Sequence, residues 1–212
     1  LYEKWEEMAE AEKLTMALIC VPDTLKPIIG AQAIRAGLDT YFAKPLAHTV
    51  KGMDQILAAT RESKALVSTL QPSRYDGAIR EAYQRVERGE IGEVISARAW
   101  VQHGHAPSSR SLEDSVEFGD EQGGTEFTLG MYAAGLLNWF TKGEPVRVFC
   151  EAENFNSPGF PFPDSMKGTV RYHDGRIGSM DIYYATDCHA PLWEVEVVGK
   201  EGILRTQQSI YE

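Results

Sequence analysis

Lys44-Pro45 is the residue pair in this sequence with the clearest capacity for chemistry. It follows an apolar and aromatic segment, residues 40–42, which predicts the end of a short strand. Proline disfavours the helical conformation for the residue before it, so we expect Lys44 to be extended or in a turn. Ligands bind at the carboxyl ends of strands in an open α/β sheet. A lysine there offers a charge, three hydrogen-bond donors or a proton; the alternative is an ordinary surface lysine before a turn.

Two histidines, His103 and His105, end a long predicted strand and share one of its faces, because they are two residues apart. Such a pair permits a metal site, but no carboxylate or cysteine stands at a spacing that completes one. We therefore predict no metal, and we expect both histidines to contact a substrate through the loop that follows them.

Strand and helix alternate three times in the first part of the chain, which predicts right-handed βαβ units and a Rossmann-like parallel sheet. The continuous apolar run of the first strand is typical of a parallel strand covered on both faces. The predicted strands are residues 16–21, 40–42 and 65–69, and the predicted helices are residues 2–14, 25–36, 49–62 and 75–88.

After Gly92 the pattern changes to longer strands with alternating polarity, which predicts an α+β domain with an open, mainly antiparallel sheet. Asp174-Gly175 is a strong turn dipeptide and predicts a hairpin. The predicted strands are residues 94–103, 146–154, 168–172, 177–184 and 193–197. One helix is predicted at residues 125–140, with core positions at Phe127, Met131, Ala134 and Leu137.

Composition excludes several classes of protein. With 43% hydrophobic and 25% charged residues the chain is typical of a globular protein, and its net charge of −10 argues against binding nucleic acid or an anionic membrane. No apolar run reaches the length of a membrane-spanning helix. The three cysteines, widely spaced and odd in number, indicate free thiols and a cytoplasmic protein.

Several segments, taken in order, resemble the glucose–fructose oxidoreductase/inositol dehydrogenase (Gfo/Idh/MocA) family of NAD(P)-dependent oxidoreductases. Each piece is common alone, but the set is specific and covers nearly the whole chain. The segments are Ile19-Cys20-Val21-Pro22-Asp23, similar to a strand ending in Thr-Pro-Asn; Ala33-Ile34-Arg35-Ala36-Gly37 with Phe42-Ala43-Lys44-Pro45-Leu46-Ala47, similar to A-L-x-A-G followed by E-K-P-L-A; Ser73-Arg74-Tyr75; Gly89-Glu90-Ile91-Gly92; and Gly123-Gly124 through Tyr132, similar to G-G-x-x-x-D-x-G-x-[HY].

The resemblance implies two domains and a nicotinamide cofactor, NAD or NADP. Residues 1–92 would be the C-terminal part of a nucleotide-binding Rossmann domain, and residues 93–212 a substrate-binding and oligomerisation domain. It implies catalytic roles for Lys44 and Tyr132, with Thr128 at the remaining relay position. The residues it places near the cofactor are Val21, Pro22, Asp23, Lys44, Pro45 and Arg74, while His103 and His105, near the helix that carries Tyr132, would contact the substrate.

The sequence departs from the family pattern at two positions. Ala43 stands where the family has Glu before Lys-Pro, and Thr128 stands where the relay Asp is found, so two carboxylates are lost and one hydroxyl remains. Removal of a hydride from an alcohol needs a group that accepts the hydroxyl proton, and a tyrosine beside a lysine cation can do so.

No Gly-x-Gly-x-x-Gly segment, which would hold the cofactor pyrophosphate, occurs before Leu18. By analogy we expect about 60–70 residues of the cofactor domain to precede this chain. We therefore expect the 212 residues alone to be short of a full cofactor site.

Simpler interpretations stand beside these roles. Tyr132 also fits the description of a core tyrosine whose hydroxyl group has a hydrogen-bond partner within the protein. Arg74 either fixes a helix start or faces the cofactor. The face of the sheet with Tyr183, Trp193, Val195 and Val197 is either intrachain core or a surface that pairs subunits. The resemblance favours a homo-oligomer formed through this sheet.

The function predicted from the sequence is hydride transfer between NAD(P) and a sugar, polyol or related hydroxylated small molecule. One alternative is a non-catalytic ligand-binding or regulatory member of the same fold, which Ala43 and Thr128 favour. The other is a glycosidase that uses NAD for transient oxidation of its substrate.

Overall fold

The computed structural model describes residues 2–104, 125–155, 162–186 and 192–207. It divides into two compact units, the first formed by the described residues up to Leu70 and the second by those from Gln71 onward. None of the described helices is both long and apolar enough to cross a membrane.

The first unit is a parallel three-stranded sheet with helices packed against it, which confirms the predicted Rossmann-like fold. The strands lie in the order β1-β2-β3, and Ile19 of β1 faces Phe42 of β2, which in turn faces Thr69 of β3. Its elements in chain order are α1 (Trp5–Ala11), β1 (Met16–Ile19), α2 (Lys26–Arg35), β2 (Asp39–Phe42), α3 (Val50–Glu62) and β3 (Val67–Thr69).

The core of this unit joins helices α2 and α3 to one face of the sheet through Ile19, Ile34, Phe42 and Ile56. Helix α2 lies unusually close to strand β2. A Cβ atom on Gly30 would stand 2.2 Å from the Phe42 ring, so only glycine permits this contact. The contact fixes the end of β2, from which the chain runs on to Lys44.

The prediction that the first strand is covered on both faces is wrong for the described residues. Met16 and Leu18 are each 63% exposed, whereas Ile19 is buried. Helices α2 and α3 pack on the face that carries Ile19 and Phe42. The apolar run therefore predicted the strand correctly, but it did not predict which face of the strand is buried.

The second unit is built on a six-stranded sheet in the order β5-β6-β7-β4-β8-β9. Strand β4 pairs in parallel with β7, and every other neighbouring pair is antiparallel, so the predicted mainly antiparallel sheet is confirmed. Its elements are a 3₁₀ turn (Pro72–Tyr75), α4 (Gly77–Glu87), β4 (Val94–Gly104), α5 (Thr125–Thr128), α6 (Gly130–Thr141), β5 (Pro145–Glu153), β6 (Ser165–Tyr172), β7 (Ile177–Thr186), β8 (Leu192–Gly199) and β9 (Ile203–Arg205).

The hairpin between β6 and β7 turns at Asp174-Gly175, as predicted, with Gly175 at a φ of 91°. Strand β9 was not predicted, because three residues are too few to show a period of two.

The boundary between the two compact units lies after Leu70, whereas the sequence predicted a domain boundary after residue 92. Helix α4 accounts for the difference. Its Tyr83 stacks on Trp139 of α6 with ring centroids 4.0 Å apart, and its Glu87 accepts a hydrogen bond of 2.6 Å from Lys142. These contacts join α4 to the sheet-bearing unit.

The predicted core face of the 125–140 helix is shifted. Phe127 is 37% exposed and Ala134 is exposed, while Leu136 and Phe140 are buried beside the correctly predicted Leu137. The helix is interrupted at Leu129, between α5 and α6. A single helical period carried through this break assigns the wrong residues to the core.

Helix α6 packs against β4 and β7 on one face of the sheet. On the opposite face, the Asp181 carboxylate receives a hydrogen bond of 2.8 Å from Arg98 Nε and lies 2.9 Å from Lys167 Nζ. Burial raises the pKa of Asp181, but the hydrogen bonds from Lys167 and Arg98 outweigh it and hold that pKa below its usual value. This charged group links three adjacent strands, β6, β7 and β4.

We predict that Asp181→Asn lowers the free energy of unfolding by about 1–3 kcal/mol near neutral pH, because the charged hydrogen bonds are lost. A depressed folded pKa stabilises the fold above the unfolded value of about 3.9, and this stability is lost as the pH falls. Urea unfolding across the acid range should show a flatter pH dependence for the variant. Asp54→Asn, an exposed carboxylate on α3, should leave the parental profile unchanged; equal profiles for all three proteins would contradict the prediction.

Candidate functional site

Two of the predicted segments lie at one edge of the first unit's sheet. Strands β1 and β2 are parallel and end in register, and Ala43 N donates a hydrogen bond of 3.0 Å to Ile19 O just beyond them. Residues 21–23 and Lys44-Pro45 therefore follow adjacent strands at their carboxyl ends. The Lys44-Pro45 peptide bond is cis, and Lys44 lies outside helix and strand, as the proline predicted.

A buried ion pair joins these two segments. Lys26 Nζ lies 2.5 Å from Asp23 Oδ1 and donates a hydrogen bond of 2.8 Å to the carbonyl oxygen of Lys44. Lys26 is 4% exposed and Asp23 is 6% exposed. The carboxylate of Asp23, predicted at the cofactor, is thus paired with Lys26.

Sequence reasoning missed Lys26 because a lysine in the first turn of a helix is usually exposed. The available signal was its spacing, three residues after Asp23 and directly before Pro27, a proline well suited to a helix start.

The residues at this edge fit one rim of a dinucleotide site. Val21 is half-buried and Pro22 is exposed, and both follow β1 at the edge of the sheet where ligands bind in an open α/β fold. Lys44 is half-buried beside it and Pro45 is buried. Val21, Pro22, Lys44 and Pro45 would be the residues to approach a bound cofactor.

The second unit brings its predicted residues together between α5, α6 and the sheet. Tyr184 Oη, on β7, donates a hydrogen bond of 3.3 Å to Thr128 Oγ1. The Tyr184 ring lies 5.7 Å from the His103 ring, and the Tyr132 ring lies 5.7 Å from the ring of Trp193 on β8. These five side chains form what we call the aromatic cluster.

The register of the sheet explains this grouping. Trp193 faces Val101 of β4, which in turn faces Ile182 of β7, so these residues form one row on the helix-covered face. His103 and Tyr184 come two residues further along their strands and therefore belong to the next row. Thr128 ends α5 and Tyr132 lies in the first turn of α6, four residues later in the sequence.

Burial in the cluster is uneven. Thr128, Tyr132 and Tyr184 are buried, whereas His103 is exposed and Trp193 is half-buried with an indole N–H that has no hydrogen-bond partner. Tyr184 and Trp193 were missed as site residues. Their signal was positional, since both point to the same sheet face as the predicted His103.

Arg74 contacts helix α6. Its guanidinium lies 5.2 Å from the centroid of the Trp139 ring, and its Nη2 donates a hydrogen bond of 3.4 Å to Gly135 O. A Cβ atom on Gly135 would stand 2.6 Å from Gln71 Oε1, so this glycine permits the close approach of the 3₁₀ turn. Gly135 and Trp139 lie in the middle and last turn of α6, so these contacts bear on neither alternative, a role at a helix start or a role at the cofactor.

His105 and Gly123-Gly124 lie outside the described residues. Within the described ranges no three histidine, cysteine, aspartate or glutamate side chains are grouped so as to hold a metal ion.

Comparison with known families matches both parts of the chain. Residues 1–71 match the model of an oxidoreductase family with an NAD-binding Rossmann fold, and residues 79–205 match the GFO/IDH/MocA C-terminal domain. The first match confirms the expected dinucleotide-binding fold and its NAD class of cofactor.

Individual relatives agree with these models. A 1,5-anhydro-D-fructose reductase of Ensifer adhaerens is 25% identical over 172 residues, which cover 81% of this chain and 50% of the reductase. The structure of myo-inositol 2-dehydrogenase from Lactobacillus plantarum superposes with a TM-score of 0.81 at 22% identity, over 97% of this chain and 61% of the other. A scyllo-inositol dehydrogenase from Lactobacillus casei, with bound NAD(H) and scyllo-inositol, gives a TM-score of 0.79 at 19% identity over 97% and 61% of the two chains.

The chain thus spans half the length of the reductase and about three fifths of each dehydrogenase. At these identities the two dehydrogenase structures show a shared fold.

We predict that Tyr184 and Thr128 are energetically coupled through their hydrogen bond. In a double-mutant cycle of Tyr184→Phe and Thr128→Val, measured by urea unfolding, the coupling energy should be about 1 kcal/mol. A matched cycle of Tyr183→Phe and Thr128→Val should show none, because Tyr183 lies on the opposite face and bonds Asp181. Additive effects of Tyr184→Phe and Thr128→Val would contradict the prediction.

Proposed function

Because the chain belongs to the GFO/IDH/MocA family of oxidoreductases, we propose that its protein transfers a hydride between NAD(P) and a carbon of a sugar, polyol or related hydroxylated molecule. The observation that carries this proposal is that the matches to an NAD-binding Rossmann fold and to the family's C-terminal domain together take in Lys44 and the aromatic cluster.

Oxidation of a secondary alcohol breaks a C–H and an O–H bond. The cofactor, when bound, supplies the acceptor for the hydride. We assign the proton of the O–H bond to Tyr132, whose hydroxyl group can accept or return it in the two directions of the reaction. We assign to Lys44 the cation that stabilises the developing alkoxide.

The aromatic cluster supports a neutral, hydroxylated ring as substrate. Thr128, Tyr132 and Tyr184 carry hydroxyl groups that both donate and accept hydrogen bonds, as the hydroxyls of a sugar do. Trp193 adds an aromatic surface and an unpartnered N–H donor. The names of the relatives, which include an anhydrofructose reductase and two inositol dehydrogenases, agree with this class.

Thr128 favours a second candidate function, that of a binding protein without turnover. Threonine at the relay position cannot carry the negative charge of an aspartate, so Tyr132 would lack the carboxylate that the family pattern supplies there. The test below distinguishes the two, because a binding protein would show ligand affinity with no reaction to lose.

We predict that Tyr132→Phe in the intact protein lowers kcat about 10²–10⁴-fold, the usual contribution of a general acid–base group. Lys44→Ala should be at least as severe, and the double variant scarcely worse than the worse single, since groups that act as a unit are not additive. The measurement is NADH formation with a panel of sugars and inositols.

Tyr75→Phe is the control, because this tyrosine is 75% exposed in the 3₁₀ turn and should retain parental kcat. A Tyr132→Phe protein with near-parental kcat would remove the role assigned to Tyr132. Saturable binding of the same molecules with no turnover in the parental protein would support the binding function instead.

We also propose that two copies of the protein associate through the sheet face opposite α6. Of the residues predicted at a subunit surface, this face carries Tyr183, whereas Trp193, Val195 and Val197 lie on the face that α6 covers. This face carries the exposed aromatic residue Phe149, together with Trp100, Tyr183 and the Asp181 network. Among the described residues no helix covers it, and aromatic residues and arginine, here Arg98, are enriched at subunit interfaces.

We place the protein in the cytoplasm, where the exposed thiols of Cys20 and Cys150 would stay reduced.

We predict that Phe149→Asp converts the oligomer to monomers in multi-angle light scattering, because it adds a buried charge to the interface. Val148→Asp is a matched control, since Val148 is 57% exposed against 64% for Phe149 but lies on the other face of the same strand. The control should keep the parental mass. A monomeric parent, or equal dissociation by both variants, would contradict the proposed interface.

A further inference from the structure

We propose that Lys26, held by Asp23, is a positioning residue for Lys44. The inference rests on the proposed function in so far as Lys44 takes part in the reaction. Lys26 acts through the backbone of Lys44, whose carbonyl oxygen accepts its hydrogen bond.

The contact is direct and enclosed. Lys26 Nζ lies between Asp23 Oδ1 at 2.5 Å and Lys44 O at 2.8 Å. The side chains of Lys26 and Asp23 are 5% and 9% exposed, so the bond to the Lys44 carbonyl is made away from bulk water. A hydrogen bond from a charged donor is shorter and stronger than a neutral one, and low exposure strengthens it further.

The hydrogen bond from Lys26 fixes the backbone on the C-terminal side of Lys44, whereas strand β2 precedes Lys44 on its N-terminal side. Before Lys44, the chain is fixed by the hydrogen bond from Ala43 N to Ile19 O. After it, the Lys44 carbonyl is fixed by Lys26. With the backbone held on both sides, the direction in which the Lys44 side chain leaves the chain is set.

Packing keeps Lys26 in place. Pro27, its neighbour in α2, lies so close to Gly52 of α3 that a Cβ atom on that glycine would stand 2.8 Å from Pro27 Cγ and 3.2 Å from Ala47 Cβ. The start of α2 is therefore packed against the segment that follows Lys44-Pro45. Lys26 cannot move away from the Lys44 carbonyl without disturbing this contact.

Stability alone does not explain the pair. A buried ion pair costs desolvation free energy, and its replacement by apolar residues is often neutral or stabilising. Two apolar side chains at positions 23 and 26 would fill the space but leave the Lys44 carbonyl without its donor. Positioning matters for catalysis, because a displacement of about 1 Å can cost about 10²-fold in rate.

The test separates the ion pair's effect on stability from its effect on Lys44. It uses Lys26→Met and the double variant Asp23→Asn/Lys26→Met in the intact protein. Lys26→Met leaves Asp23 buried without its partner and should lower the melting temperature by several degrees. The double variant contains no buried charge here, so its melting temperature should return towards the parental value.

If Lys26 positions Lys44, the double variant should still have a misplaced Lys44 although its stability recovers. Its kcat should stay about 10–100-fold below parental, with a smaller change in KM. A purely structural pair predicts the opposite, that activity returns with stability. Arg35→Met/Glu62→Gln is the matched control, since this exposed pair joins α2 to α3 at 2.7 Å and should change neither quantity.

A second measurement does not depend on turnover. The rate at which a water-soluble acetylating reagent modifies Lys44, followed by mass spectrometry, should rise several-fold in the double variant because the side chain is no longer held. Exposed Lys64 is the internal reference and should react at the parental rate.

An unchanged Lys44 rate in a double variant of parental stability would overturn the proposal. If Lys44→Ala retained activity while the Lys44 modification rate still rose in the double variant, the catalytic role of Lys44 would fail and its positioning by Lys26 would stand.

Discussion

The parallel pairing of β1 with β2 is the constraint on which the arrangement of the first unit depends. Because the two strands end in register, the residues that follow them are delivered to one edge of the sheet. Side-chain contacts then refine what the pairing supplies. Gly30 lets α2 lie against Phe42, and Lys26 reaches across to the Lys44 carbonyl.

In the second unit the corresponding constraint is that the helices cover one face of the sheet. Alternation along β4 and β8 sends Val101 and Trp193 towards α6 and sends Trp100 and Glu194 to the other face. One strand thus contributes both to the aromatic cluster and to a charged surface around Asp181. The two faces are chemically distinct because the strand period is two, and not because different segments build them.

Much of this architecture could be predicted from the sequence, since hydrophobic period and turn residues report on local structure. The alternation of strand and helix before Gly89 and the turn at Asp174-Gly175 are examples. What could not be predicted depends on partners far away in sequence. The cover of β1, the interruption at Leu129 and the grouping of α4 with Trp139 are set by packing rather than by period.

The candidate site shows the same division. Lys44 stood out in the sequence because Lys-Pro after a strand has few conformations, and Tyr132 because its spacing from the glycines resembles a family motif; both stay predictions. Lys26 and Tyr184 did not stand out, because a lysine opening a helix and a tyrosine in a strand are usually unremarkable. Their importance arises only when a carbonyl or a threonine from another element meets them.

The central position of β4 has a consequence for the order in which the protein forms during synthesis. In the first unit, strand neighbours such as Phe42 and Thr69 are 27 residues apart, so the sheet can close soon after they emerge from the ribosome. Among the described residues the strand partners of β4 come late in the chain: Ser96 bonds Ile177 across 81 residues, and Val94 faces Gly199. Contacts of such long range form slowly, since a large loop must close before any of them is gained. During translation the strands of the first unit therefore emerge well before residues 177–199, with which β4 pairs. That interval is when the nascent chain is most exposed to wrong pairing and most in need of a chaperone.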